Sequence, residues 1–103
     1  YCKFFLYGDT KDKIPDNIKI FNKVGLAYGF VIDNAYIIDI RNNVEFLLTA
    51  VIYSNSNQTM NDDEYDYEKI SIPFLASLGR KIYDLELRRF KKMLPDLSLF
   101  KNI

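Results

Sequence analysis

Lys23-Val24-Gly25-Leu26 is the stretch of this sequence whose residue types and spacing most directly suggest chemistry. A lysine on a strand can hold its ammonium beside a cleft, and a glycine two residues on lets a substrate carbonyl approach the backbone. The N–H groups beyond that glycine are then candidate oxyanion donors. Other combinations are weaker. Asn61-Asp62-Asp63-Glu64, with Asp66 and Glu68, is a dense acidic run that suggests calcium, but it lacks the ligand spacing and terminal glutamate of an EF-hand loop. Ahead of a helix, such carboxylates serve as dipole partners. Nothing singles out a pair of them for glycoside hydrolysis. Ser98-Leu99-Phe100-Lys101 spells S-x-x-K by coincidence in a terminal tail, and Tyr53-Ser54-Asn55 spells Y-x-N where a strand gives way to a turn.

Composition removes several alternatives. The chain has 103 residues, no histidine and one cysteine. A Ser-His-Asp triad, a Cys-His dyad, a His-bearing zinc site and a C-x-x-C redox pair are therefore excluded. Cys2, beside Phe4 and Phe5, reads as a small packing residue. Lysine plus arginine and aspartate plus glutamate each number 14, so no net field draws nucleic acid or an anionic membrane. At 49% hydrophobic and 16% aromatic the chain is too apolar for a disordered tail. No stretch approaches the roughly 20 apolar residues of a membrane span, and the charged first residues do not resemble a signal peptide. The opening Tyr1-Cys2-Lys3 suggests a piece of something longer, a single partial domain over 1–103 with a tail from 90.

The elements that must position Lys23 follow from periodicity. Residues 1–7 read as the last turns of a helix closed by Gly8 as a glycine C-cap. Residues 10–17, with charges and Pro15, form a connection. Residues 18–24 alternate at period two as a half-buried strand that Gly25 interrupts, with a bulge or a close backbone approach there. Further strands are expected at 34–40 and 44–53, joined by turn chemistry in Arg41-Asn42-Asn43. The three make an antiparallel meander. The last strand, apolar on both faces in its second half, is expected to be central and covered on both sides. From about 65 to 89 the spacing becomes helical, with Ile70, Phe74, Leu75, Leu78, Ile82 and Leu85 on one stripe. A start near Ser71, as cap, suits Pro73 in the first turn. The basic run 88–93 reads as a solvated helix end.

The order K-V-G-x-A-Y-G, then Asp33-Asn34-Ala35-Tyr36-Ile37-Ile38-Asp39, then the strand over 46–53, then a helix carrying Phe74-Leu75-Ala76-Ser77-Leu78-Gly79-Arg80, resembles the C-terminal part of class A β-lactamase-related and penicillin-binding-protein-like serine hydrolases. That family's signatures are S-x-x-K, S-D-N and K-T-G. The resemblance spans about residues 1–89 and implies the last third or so of a catalytic domain. It implies that Lys23 places its cation near a substrate carboxylate, that Gly25 is the motif glycine, and that the Leu26 N–H serves the oxyanion hole. Val24 would contact substrate in place of the family's Thr or Ser, without their hydroxyl. The attacking serine would lie upstream, so this chain alone would hydrolyse nothing. The implied parent acts on a β-lactam, a related amide or ester, or a peptidoglycan-like substrate, without cofactor or metal, in the periplasm or cell envelope.

The expected fold is therefore α+β: a three-stranded antiparallel sheet with a C-terminal helix on one face and a short N-terminal helical remnant. The other sheet face would expose an apolar patch open to dimerisation or other self-association. The alternative reading is a non-catalytic sheet-plus-helix module that binds a peptide, glycan or protein partner.

Overall fold

A computed structural model describes residues 3–54, 67–89 and 93–100. Three ten-residue strands, β1 (Ile18–Ala27), β2 (Phe30–Asp39) and β3 (Val44–Tyr53), form an antiparallel sheet in the order β1-β2-β3. A turn of π-helix (Tyr67–Ser71) runs into helix α1 (Ile72–Arg88), and a 3₁₀ turn (Ser98–Phe100) follows. The α+β architecture, with a three-stranded meander and one C-terminal helix, is the one expected.

Register explains the two faces. Alternation places Ile18, Ile20 and Val24 of β1, Val31, Ala35 and Ile37 of β2, and Phe46, Leu48 and Ile52 of β3 on one side. All belong to the core or pack against it, with Phe4, Phe5, Leu6 and Leu75 from outside the sheet. The opposite side carries Phe21, Lys23, Phe30, Ile32, Asn34, Tyr36, Leu47, Thr49, Val51 and Tyr53. On it Leu47 is 78%, Val51 59% and Phe30 45% exposed. The apolar patch expected on one sheet face is present.

Several local expectations are corrected. The central strand is β2, and β3 is an edge strand. The reason is the turn chemistry. Tyr28 (φ 52°) and Gly29 (φ 89°) supply the two positive φ values of a type I′ hairpin, so β1 returns directly as β2. Gly25 neither breaks β1 nor bulges, because it pairs in register with Ile32. A Cβ there would lie 2.9 Å from Ile32 Cγ2, so the close approach is to a cross-strand methyl. The turn at Arg41-Asn42-Asn43 forms as expected, with Asn43 at φ 55°.

The N-terminal segment is no helix end. Residues 5–9 are turns, with Leu6, not Gly8, at positive φ (67°). Long-range bonds override local helicity there. The buried carboxylate of Asp33 accepts the Phe4 and Phe5 amides at 3.1 and 3.4 Å and Asn22 Nδ2 at 3.1 Å. Lys3 Nζ donates to Asn22 Oδ1 at 3.1 Å.

α1 begins where Pro73 requires. Ser71, however, is helical (φ −68°, ψ −51°) and makes no capping bond. Its hydroxyl lies 2.5 Å from Ser54 Oγ, buried, tying the end of β3 to the helix start. The buried stripe is also rotated. Leu75, Ala76 and Gly79 face the core, while Ile70, Phe74 and Leu85 are exposed. The sheet selects the face that carries glycine, because Gly79 packs against Phe5 and Leu6. Arg80 beside it donates to Leu6 O at 2.6 Å and grips Asp9 with two bonds of 2.9 and 2.8 Å.

Candidate functional site

Lys23 lies on β1, opposite Asn34, on the side of the sheet away from α1, and it is exposed. Among the described residues it has no ion-pair partner. Val24 points the other way and packs half-buried against the core, so its apolar side chain has a packing role. Gly25 shares the Lys23 side.

Ladder geometry places the Leu26 N–H. The residues flanking a two-residue hairpin, here Ala27 and Phe30, form a doubly bonded pair, and bonded and non-bonded pairs then alternate along the strands. Leu26 therefore directs its N–H away from β2, to the outer edge of β1. The same alternation at the far end sends the Ile18 N–H outward, where Pro15 O accepts it at 3.0 Å, and lets Ile40 N–H reach Asn17 O at 2.9 Å. The edge donor of Leu26 and the ammonium of Lys23 thus belong to the same strand, one on its rim and one on its outer face.

That outer face is banded. Lys23, Asn34 and Thr49 make one row across the sheet, and Thr49 Oγ1 donates to Asn34 Oδ1 at 2.5 Å. On one side lie Phe21 and Tyr36, stacked with ring centroids 6.3 Å apart. Phe100, from the segment after α1, sits on both at 5.7 and 5.9 Å. On the other side lie Ile32 and Val51, then Phe30 against Tyr53 with centroids at 4.7 Å. Tyr36 donates to Glu45 Oε1 at 2.6 Å, and this bond pushes its phenol up to about 12.

A second polar cluster holds the sheet's opposite end. Asp39, fully buried, accepts Asn17 Nδ2 at 2.8 Å, Asn42 Nδ2 at 2.7 Å, the Arg41 and Asn42 amides at 3.0 and 3.2 Å, and the Tyr83 hydroxyl. Burial drives its carboxyl upward, but the bonds from Asn17, Asn42 and Tyr83 together outweigh it and hold the pKa below the usual value. Burial and the bond to Asp39 raise the Tyr83 phenol. With every oxygen engaged, this cluster reads as a structural pin. The sequence did carry its signal: Asp33 and Asp39 fall on the same face of β2 as Val31, Ala35 and Ile37, polar residues in core register.

The other sequence candidates separate from Lys23. Ser54 is buried against Ser71, and Ser98 donates its amide to Asp96 Oδ1 at 3.1 Å in the tail. Cys2, Asn55, the acidic run 61–66 and Lys101 lie outside the described residues, as does the side chain of Glu68. Among the described residues no group of acids or cysteine could hold a metal, and no helix is long and apolar enough to cross a membrane. No protein-family model, curated protein or solved structure matches the chain.

Proposed function

We propose that this chain is the sheet-and-helix part of a β-lactamase-like serine hydrolase, in which β1 walls the cleft where acyl transfer occurs. One observation carries the reading: Lys23, exposed on the sheet face away from α1, and the Leu26 N–H, on the outer edge, belong to the same strand in the order of the K-x-G motif. In this role the Lys23 ammonium attracts the substrate's anionic group. The Leu26 N–H donates to the carbonyl oxygen as it becomes an oxyanion. Gly25 keeps the strand flat where the substrate lies. The attacking hydroxyl comes from a Ser-x-x-Lys segment elsewhere in the polypeptide.

In the full-length protein, Lys23→Ala should slow labelling by a fluorescent β-lactam or activated-ester probe by roughly 10²-fold, the scale of losing one electrostatic contact in such a site. Unchanged labelling removes the assignment. The exposed band of Phe30, Ile32, Val51 and Tyr53 favours the second reading, a binding module. A reading frame without Ser-x-x-Lys upstream of Tyr1 would support it.

A further inference from the structure

We infer that the aromatic pair Phe21–Tyr36, together with Lys23 and Asn34 in the next row, is a binding site for an aromatic group bearing an anion, and that Phe100 is a built-in competitor for it. The inference uses the placement of Lys23 but does not depend on acyl transfer.

Three observations carry it. The pair already holds a ring: Phe100 lies 5.7 and 5.9 Å from its two members, so the surface accepts an aromatic group in a defined pose. That ring comes from a short 3₁₀ turn, with Leu99 beside it 86% exposed. The turn's bond from Phe100 N–H to Leu97 O closes within the segment. Leu97 at the base of the turn stays buried (5% exposed), so it is the Phe100 ring, half-buried at the turn's end, that can swing aside without opening the sheet. Finally, the adjoining row offers donors. Lys23 has no carboxylate among the described residues, and the Asn34 carbonyl is taken by Thr49, which leaves its NH₂ for an acceptor. Successive rows on one face are roughly 6.7 Å apart, about the distance from the centre of an aryl ring, through a carboxylate or sulfonate substituent, to a donor hydrogen-bonded to it. Phe100 supplies the ring but no anion, so an aryl anion satisfies both rows where the tail satisfies one.

The test uses the anionic dye 8-anilinonaphthalene-1-sulfonate and its uncharged analogue N-phenyl-1-naphthylamine on the whole chain. Phe100→Ala should bind the anionic dye at least five-fold more tightly than the parent chain. The added substitution Lys23→Ala should abolish that gain while leaving the neutral dye unaffected. Leu99→Ala should change neither. In NMR titration of Phe100→Ala, the dye should shift the resonances of Phe21, Lys23, Asn34 and Tyr36. The inference is overturned if affinity does not rise, if the gain survives Lys23→Ala, or if the shifts map elsewhere, including the Phe30–Tyr53 band or a globally loosened chain.

Discussion

Asp39 joins three parts of the chain that sequence keeps apart: Asn17 before β1, the turn after β2, and Tyr83 on α1. Its ionisation is consequently a folding term. A carboxyl whose pKa is lower folded than unfolded stabilises the fold above the unfolded value, about 3.9, and that stabilisation is lost as pH falls through the lowered folded value. Asp9, held down by its bond to Arg80, acts in the same direction, with less effect because the pair is partly solvated. Tyr36 runs the opposite way. Its raised pKa contributes fully below the unfolded value near 10 and is lost as pH rises toward about 12. Asp39→Asn should therefore lower the unfolding free energy measured by urea denaturation at pH 7 by about 1–3 kcal/mol, and flatten its decline between pH 5 and 2. An acid limb as steep as that of the unsubstituted chain would show that Asp39 does not govern it.

At the scale of elements, glycines with different neighbours make opposite predictions. A Cβ on Gly79 would lie 2.7 Å from the Leu6 nitrogen and 2.9 Å from Phe5 Cβ. Backbone on one side and a core residue on the other cannot yield cheaply, so Gly79→Ala should cost about 1–3 kcal/mol despite alanine's better helix propensity. At Gly25 the obstacle is a single side-chain methyl, Ile32 Cγ2 on the exposed face, which clears by a χ1 change of that stiff β-branched residue. Gly25→Ala should therefore cost less than Gly79→Ala, about 1 kcal/mol or below, although it sits in the motif. Thermal denaturation of the two variants should separate them by several degrees, with Gly79→Ala the lower.

The elements also show where reading the sequence succeeds. β3 and its turn were legible because the stretch is an apolar run rich in β-branched and aromatic residues and Arg41-Asn42-Asn43 is strong turn chemistry. The start of α1 was legible through Pro73. The β1–β2 hairpin was not, because a tyrosine at positive φ carries no signal in sequence and Gly25 imitates a break. The helix stripe was misplaced because exposed Ile70, Phe74 and Leu85 are as apolar as the buried set, and only contact with Phe5 and Leu6 decides which face turns inward. Of the site, the outward direction of Lys23 was implicit in its alternation with Val24. The donor role of Asn34 and the seat of Phe100 depend on cross-strand register and on the path of the tail, which no local pattern encodes.

For the whole molecule, the sheet is closed by neighbours in sequence, while the N-terminal segment is held by distant ones. The hairpins close over two residues and over residues 40–43. By contrast, Asp33 takes the Phe4 amide across 29 positions and Arg80 takes Leu6 O across 74. Closing a long loop costs chain entropy before any contact repays it, so local pairings are favoured early. The expected order of assembly follows: the meander forms in the rate-limiting step, and the Leu6–Arg80 clasp locks afterwards. In stopped-flow experiments, Gly29→Ala, which forces a side chain into the hairpin's left-handed turn, should slow folding. Arg80→Ala should leave the folding rate nearly unchanged and quicken unfolding. The clasp between the first described residues and the last helix would then set not how fast the chain finds its fold, but how long it stays there.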